Sequence, residues 1–181
     1  MKESLPSAEG FLIFASNMPD LKKIALIVAG GAGVRMGHTT PKQFLSLSGV
    51  PLLHYSLSAF LNAFEDISVI LVLPAVQLHY AEELVRLFGK KIPLTVAAGG
   101  ETRFHSVQNG LQWVKEPSVV FVHDGVRPLV SVRLIRNCYA QASELGSAIP
   151  CIEPKDSLRK ISAEGSCKAV GRLQYRIVQT P

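Results

Sequence analysis

Cysteine and long apolar runs are scarce in this sequence, and each scarcity excludes a class of protein. The three cysteines, Cys138, Cys151 and Cys167, are odd in number, widely spaced and without a CxxC pair, so they indicate no zinc site and predict free, partly buried thiols. The longest apolar runs, such as ISVILVL, are far shorter than the roughly twenty residues that span a bilayer, and no signal pattern opens the chain. We therefore expect a cytoplasmic protein without a membrane partner.

A concentrated basic region is also lacking. The formal net charge is +5, but the cations are scattered rather than gathered into a tail or an aromatic-studded stripe. Nucleic acid is therefore not an expected partner, and a local cationic pocket for small anions explains the excess better. With 48% apolar and 18% charged residues, the 181-residue chain is predicted to fold as one compact unit.

Apolar segments of strand length alternate with segments of helical periodicity between Lys22 and Gly146. Because the strand segments are nearly continuous in Val, Ile and Leu, they predict a three-layer α/β/α, Rossmann-like fold whose mostly parallel sheet has helices on both faces. Ligands bind beyond the carboxyl ends of such strands. The chain leaves the four predicted strands after Val28, Leu73, Ala97 and Val122, and we call these points the strand exits. Three of them have a glycine or polar motif, whereas the exit after Leu73, at Pro74, has none.

Three segments are expected along the chain. Residues 1–21 mix serine, proline, glycine and apolar residues without a period, which predicts a leader or lid. Residues 22–181 form the folded domain. Within it, residues 150–175 are polar with weak strand character, and we expect them to form a protruding β-hairpin arm that a sheet edge or a partner subunit covers.

The loop after the first predicted strand is rich in glycine and reads VAGGAGVRMGHTTPKQFL from Val28 to Leu45. Glycines let a backbone approach a ligand closely and turn its N–H groups toward phosphate oxygens, so we predict a phosphate-binding loop. A dinucleotide fingerprint fits less well, because after Gly31 and Gly33 the next glycine, Gly37, comes one position late for GxGxxG. No clear acidic residue follows at a second strand end to hold a ribose. A purely structural turn stays open as well.

Two cations in the same loop favour a nucleoside triphosphate as its ligand. Arg35 offers a planar fork and Lys42 a compact charge, so the two side chains can hold different phosphates. Nucleotidyl transfer passes through a crowded, negatively charged phosphorus centre, which fixed cations stabilise more than they stabilise the ground state. The alternative for either cation taken alone is a solvated surface side chain.

A carboxylate at the end of a later strand is the candidate metal ligand. Asp124 follows the strand VVFVH and is predicted to point into the same crevice. Mg²⁺ prefers hard oxygen ligands and keeps several waters, so one carboxylate and triphosphate oxygens suffice. The alternative is an aspartate that caps the next turn. His123 has no partner at a suitable spacing and is predicted to be a buried, hydrogen-bonded side chain rather than a base.

Three motifs in order resemble those of one enzyme family. The glycine loop is similar to the AAGxGxRM…PK signature of the cytidylyltransferases that act on 2-C-methyl-D-erythritol 4-phosphate, which have the nucleotide-diphospho-sugar transferase fold. GGETRFHSVQNGL, from Gly99 to Leu111, resembles the family's GGxxRxxSVxNGL, and VHDGVRP, from Val122 to Pro128, resembles its HDxxRP. The final VQTP resembles the start of a QTPQ segment, so the resemblance extends from about Ile24 to the end.

The resemblance implies a role for each matching residue. Arg35 and Lys42 correspond to transition-state stabilisers, and Asp124 to a ligand of Mg²⁺ or another divalent cation. Ser157 and Arg172 correspond to arm residues that bind the polyol phosphate in a site shared across a homodimer, and Arg127 either binds that phosphate or pairs with an acid. The residues that correspond to the nucleotide-binding positions of the family are Ala29, Gly30, Gly31, Ala32, Gly33, Gly100, Glu101, Arg103 and Ser106. The alternatives are a first helical turn served by Thr102 or Glu101, and a bracing role for Arg103.

The implied reaction is the transfer of CMP from CTP to 2-C-methyl-D-erythritol 4-phosphate, with release of diphosphate, in the non-mevalonate route to isoprenoid precursors. The acceptor phosphate attacks the α-phosphorus in line, and because a phosphate monoester is already ionised near neutral pH, no general base is required. Positioning and charge neutralisation are then expected to supply the catalysis.

The chain also departs from the family pattern. It stops at Pro181, whereas family members continue through a TDE segment and a further substrate-binding lysine. Gly171 replaces an acidic residue before Arg172, and Gly30 replaces an alanine. Two rival functions stay open: a ribitol 5-phosphate cytidylyltransferase, which shares the AGGxGxRM…PKQFL opening and an HDxVRP motif, and a noncatalytic nucleotide-binding or dimerisation module.

Overall fold

The computed structural model describes residues 21–30, 40–89 and 91–179. The predicted leader, apart from Leu21, lies outside these ranges. So do nine residues of the predicted phosphate-binding loop, 31–39, which include the site candidates Gly31, Ala32, Gly33 and Arg35.

A parallel sheet of four strands forms the centre of the described chain. The strands in chain order are β1 (Lys22–Val28), β2 (Ser46–Leu47), β3 (Val50–Pro51), β4 (Ser68–Leu73), β5 (Leu94–Ala98), β6 (Ser118–Asp124), β7 (Cys151–Ile152), β8 (Leu158–Ile161), β9 (Cys167–Val170) and β10 (Ile177–Val178). The central sheet has the order β5-β4-β1-β6, and each neighbouring pair is parallel. β1 and β4 are interior strands, which explains why both read as continuous apolar runs.

Within the described ranges the chain forms four α-helices: α1 (Leu52–Ala63), α2 (Tyr80–Leu87), α3 (Arg103–Leu111) and α4 (Val132–Leu145). Short 3₁₀ turns cover Lys42–Phe44, Ala75–Gln77 and Arg172–Gln174. The hydroxyls of Thr102 and Ser131 accept backbone N–H groups at the starts of α3 and α4. α4 ends at Gly146, whose φ of 85° is the left-handed conformation that favours glycine.

Alternate residues of β1 face two separate cores, which confirms the predicted three-layer arrangement. Ala25 and Ile27 pack with residues of α1, α2 and α4 on one face of the sheet. Leu26 and Val28 pack on the other face, where Val107 of α3 covers them. This alternation follows from the period of two in a strand, so each interior strand must be apolar on both faces.

Gly110 lets α3 approach the sheet closely, and replacing it with alanine is expected to destabilise the protein. A Cβ at this position would lie 2.7 Å from Leu26 Cδ1 and 2.9 Å from Val72 Cγ2, and both side chains are fully buried. Overpacking costs about 1–3 kcal/mol, which exceeds the gain of about 1 kcal/mol in helix propensity. Urea denaturation of Gly110→Ala should therefore show a net loss of up to about 2 kcal/mol.

Gly171→Ala is the matched control for this prediction. Its φ of −68° is ordinary for any residue, and no atom lies within 4 Å of the built Cβ. The control should stay within about 0.5 kcal/mol of the parent. If Gly110→Ala were as stable as Gly171→Ala, the close packing of α3 would not limit stability.

The C-terminal part forms the predicted hairpin. β8 pairs antiparallel with β9, and β7 pairs antiparallel with β10 in a second small sheet. The prediction of partly buried thiols holds only for Cys138; it is wrong for Cys151 and Cys167, which are exposed on small two-stranded sheets outside the central sheet. Each helix within the described ranges is too short or too polar to cross a bilayer.

Candidate active site

The ends of the parallel strands bring three of the predicted segments to one edge of the sheet. In register, Val28 of β1 lies beside Asp124 of β6 and beside Val72 of β4. Hydrogen bonds continue beyond the strands: Ala29 N–H donates to Val72 O at 2.9 Å, and Gly125 N–H donates to Val28 O at 2.8 Å. The start of the glycine loop is therefore fixed by backbone on both sides.

Ser106 closes the turn between β5 and α3. Its hydroxyl accepts the N–H of Gly100 at 3.1 Å and donates to the carbonyl of the same residue at 3.4 Å. Ser106 is buried, and a Cβ on Gly30 would lie 3.4 Å from its oxygen, so this turn adjoins the start of the glycine loop. A Cβ on Gly100 would clash with the Cβ of His105. The backbone here can pack this tightly only with glycine.

The first turn of α3 has the contacts of the alternative interpretation, in which Thr102 serves the helix start and Arg103 has a bracing role. Thr102 serves the helix start, since its side chain accepts the N–H of His105 at 3.3 Å. Glu101 is exposed beside it. Arg103 reaches away from the helix toward β6, so it links the α3 start to the end of the neighbouring strand.

Asp124 lies between two arginines at the end of β6. Its Oδ1 accepts Arg103 Nε at 3.0 Å, and its Oδ2 accepts Arg127 Nε at 3.0 Å. The carboxylate is only 21% exposed, whereas the two arginines are about half exposed, so the acid is the enclosed member of the cluster. Arg127 thus pairs with an acid, as one of its two predicted roles required. The cluster collects two positive charges and one negative charge at the carboxyl end of β6.

A divalent cation fits Asp124 if the triphosphate supplies further oxygens. A carboxylate has about four lone-pair positions, and the two arginine contacts leave room on both oxygens. Among the described residues, no group of three or more His, Cys, Asp or Glu side chains could hold a metal alone. A cation that keeps several waters and shares phosphate ligands, as Mg²⁺ does, matches such a one-carboxylate site.

His123 precedes Asp124, and its side chain contacts the backbone of Arg127. It is buried, and its Nε2 lies 3.2 Å from the carbonyl oxygen of Arg127. Burial lowers the pKa of this imidazole below its ordinary value, so it is neutral and donates to that carbonyl. The prediction of a buried, hydrogen-bonded histidine is confirmed.

Lys42 begins the 3₁₀ turn Lys42–Phe44 and is partly exposed. The next two residues anchor the turn. Gln43 is fully buried and donates to the carbonyl of Ala29 at 2.9 Å, and Phe44 stacks on Tyr80 with ring centroids 4.1 Å apart. Lys42 is therefore tied through its neighbour to the same edge of the sheet as the other site residues.

Sequence reasoning missed Gln43 and its partner Gln77. Gln77 follows the strand exit at Pro74 that appeared to have no motif, and its Oε1 accepts Gln43 Nε2 at 2.7 Å. The sequence contained one signal for Gln43, which is its polar side chain next to Lys42 in PKQF. No sequence signal connected it to a residue 34 positions later.

The predicted arm residues form a separate group. Ser157 and Arg172 are exposed, and Arg172 donates from Nη1 to the carbonyl of Lys155 at 2.8 Å, which fixes it within the arm. A cavity of about 930 Å³ in the described chain adjoins the cluster at Arg127, which is one of its lining residues. It runs beside β6 and α4, and its lining is mainly apolar, so it does not suit a triphosphate.

Comparisons with known proteins agree with the motifs at this edge. The family model described as 2-C-methyl-D-erythritol 4-phosphate cytidylyltransferase matches residues 23–181. Proteins of that name from Bacteroides thetaiotaomicron and Bacteroides fragilis are 44% and 46% identical to this chain. The alignments cover 89% and 88% of this chain and 73% and 72% of those relatives.

Solved structures agree as well. The 4-diphosphocytidyl-2C-methyl-D-erythritol synthase from Anaerococcus prevotii is 25% identical with a TM-score of 0.72, and the match covers 88% of this chain and 68% of that one. The 2-C-methyl-D-erythritol 4-phosphate cytidylyltransferase from Thermus thermophilus is 30% identical with a TM-score of 0.61, over 89% of this chain and 69% of that one. The chain belongs to the 2-C-methyl-D-erythritol 4-phosphate cytidylyltransferase family.

Proposed function

We infer that this protein is a nucleotidyltransferase that transfers CMP from CTP to 2-C-methyl-D-erythritol 4-phosphate and thereby makes 4-diphosphocytidyl-2-C-methyl-D-erythritol for isoprenoid precursor synthesis. The family match over residues 23–181 carries this conclusion. The cluster of Arg103, Asp124 and Arg127 beside the Gly100 turn supports it, because opposed charges and close backbone suit a triphosphate and a cation.

The reaction needs no redox partner and no protein nucleophile. A phosphate oxygen of the acceptor forms a bond to the α-phosphorus of CTP, the bond from that phosphorus to the bridging oxygen breaks, and diphosphate leaves with the electron pair. Lys42 and Arg35 neutralise charge that grows on the phosphoryl oxygens. The neutral, enclosed His123 is not required, because the acceptor phosphate is already ionised.

The nucleotide is proposed to lie against the backbone of Ala29, Gly30, Gly31, Ala32 and Gly33, with Gly100, Glu101 and Ser106 around its base and ribose. The tight turn around Gly100 supports this role, since it exposes backbone close to the end of β1. Arg103 connects that turn to Asp124 and is positioned to exchange its carboxylate contact for a phosphate.

Asp124 is proposed to hold a divalent cation, Mg²⁺ in the first instance. When bound, the cation supplies positive charge to the triphosphate and lowers the cost of bringing an anionic acceptor to it. The chain's own part is to orient the carboxylate, which Arg103 and Arg127 do through one hydrogen bond to each oxygen.

The motifs allow two related acceptors, a methylerythritol phosphate and a ribitol phosphate, and turnover with each distinguishes them. Diphosphate release from CTP and Mg²⁺ should be measured with 2-C-methyl-D-erythritol 4-phosphate, with ribitol 5-phosphate and with no acceptor. We expect turnover with the first and background rates with the other two. Turnover with ribitol 5-phosphate alone would overturn the acceptor assignment, and CTP binding without turnover on any acceptor would favour a noncatalytic module.

A homodimer in the cytoplasm is also proposed, with Ser157 and Arg172 of the arm binding the polyol phosphate across the subunit boundary. The arm supports this because it exposes several apolar side chains, among them Ile161 at 71% and Leu173 at 73%. Ile161→Asp should shift the protein from dimer to monomer in sedimentation experiments. Leu87→Asp, at an exposed apolar position on α2, is the control and should leave the dimer intact; a parent protein that sediments as a monomer would contradict the proposal.

A further inference from the structure

A buried pair of amide side chains joins three segments next to the candidate site. Gln43 is 0% exposed and Gln77 is 9% exposed. The Nε2 group of Gln43 has two hydrogens, and it donates to Ala29 O at 2.9 Å and to Gln77 Oε1 at 2.7 Å. These contacts connect the turn that holds Lys42, the end of β1, and the turn after β4.

We propose that Gln43 is a positioning residue for Lys42, and that Gln77 holds the Gln43 amide in the orientation this requires. The inference rests on the proposed function of Lys42. Because Ala29 is fixed by its own hydrogen bond to Val72, the Gln43 amide ties the backbone at Lys42 to the rigid sheet rather than to a loop. The ammonium group of Lys42, one residue away, is then held in a defined position relative to the strand exits.

Packing alone does not account for a glutamine at this position. Phe44 already anchors the same turn to Tyr80 on α2. Within the part of the chain that the structure describes, Gln43 Oε1 is buried without a hydrogen-bond partner, which costs stability. A methionine of similar size would fill the same space and remove that orphan acceptor, but it could not donate to Ala29 O and Gln77 Oε1, so these two contacts are what requires an amide here.

The test is a double-mutant cycle between Gln43 and Lys42, read in steady-state kinetics at saturating acceptor. Gln43→Met should lower kcat about tenfold and change the KM for CTP less than about twofold, because the lost orientation matters in the transition state. In the Lys42→Ala background the same substitution should change kcat by less than about twofold. Gln77→Met should reproduce the effect of Gln43→Met, and Gln141→Met, at an exposed position on α4, should change nothing.

A spectroscopic measurement keeps the inference testable without turnover. Reductive ¹³C-methylation gives each lysine an NMR signal, and the signal of Lys42 is identified by its loss in Lys42→Ala. Gln43→Met should shift or broaden that signal, while Gln141→Met should leave it unchanged. The melting temperature of Gln141→Met should stay close to the parent, whereas that of Gln43→Met should fall because two buried acceptors, Ala29 O and Gln77 Oε1, lose their donor. The signals are therefore compared well below both melting temperatures.

The outcomes separate the two claims. Two results would overturn the positioning role and leave the proposed function intact. One is a tenfold loss of kcat on Gln43→Met that persists in the Lys42→Ala background. The other is a Lys42 NMR signal that Gln43→Met does not change. A parent protein without turnover, or Lys42→Ala with parental kcat, would overturn the proposed function or its use of Lys42. The NMR signal would still decide whether Gln43 orients Lys42.

Discussion

Replacing Lys42 with alanine should lower kcat by about a hundredfold or more, with a smaller change in the KM for CTP. Loss of one preorganised charge that acts on the transition state costs about 10²–10³ in rate. Lys42 begins a turn that Gln43 and Phe44 anchor to the sheet and to α2, so its backbone is held near the strand exits. The measurement is initial-rate kinetics of diphosphate release. Arg35→Ala should have a loss of similar size, as the sequence motif implies.

Lys22→Ala is the matched control for Lys42→Ala. Lys22 is exposed at the start of β1, at the opposite edge of the sheet, where it pairs with Glu116 at 2.8 Å. An exposed ion pair contributes at most about 1 kcal/mol to stability, so Lys22→Ala should keep the parental rate. A Lys42→Ala enzyme within a few-fold of the parent would contradict the role of Lys42 as a transition-state stabiliser.

Asp124→Asn should have the second large effect, a loss of at least about a hundredfold in kcat together with a higher requirement for Mg²⁺. The substitution removes the charge that attracts a cation, and it leaves Arg103 and Arg127 facing an amide instead of a carboxylate. The measurement is the rate as a function of Mg²⁺ concentration at fixed CTP. If Asp124 is a cation ligand, the curve of rate against Mg²⁺ concentration should shift to higher concentrations and its plateau should fall.

Glu82→Gln provides the comparison for Asp124→Asn, since Glu82 is 82% exposed on α2 and pairs only loosely with Arg86 at 3.5 Å. It should change neither the plateau nor the Mg²⁺ dependence. If Asp124→Asn lowered the rate with an unchanged Mg²⁺ curve, the carboxylate would serve only to brace the two arginines. The metal assignment would then be wrong.

The architecture was predictable because its signals are local. β1 and β4 each read as unbroken apolar runs, and the structure places them in the interior of the sheet with a core on each face. Of the residues expected at the strand exits, the described ones Ala29, Gly100 and Asp124 lie at one edge of the sheet, since parallel strands must end together. His123 was predicted to be buried because it has no partner at a suitable spacing, and it is buried.

The contacts within the site were less predictable because they join residues far apart in sequence. Asp124 was predicted as a cation ligand, but nothing in the sequence fixed both of its oxygens on Arg103 and Arg127. Gln77 followed an exit without a motif, yet it supports Gln43. The exposure of Cys151 and Cys167 was missed because an alternating pattern does not reveal whether a second layer covers a hairpin.

The central claim is that the phosphate of the acceptor becomes bonded to the α-phosphorus of CTP. ³¹P NMR of the products from CTP, Mg²⁺ and 2-C-methyl-D-erythritol 4-phosphate tests it directly. We expect a pair of mutually coupled signals from a new phosphorus–oxygen–phosphorus linkage, in equal amount to the diphosphate released. Diphosphate that accumulates with free CMP and unchanged acceptor phosphate would contradict the account.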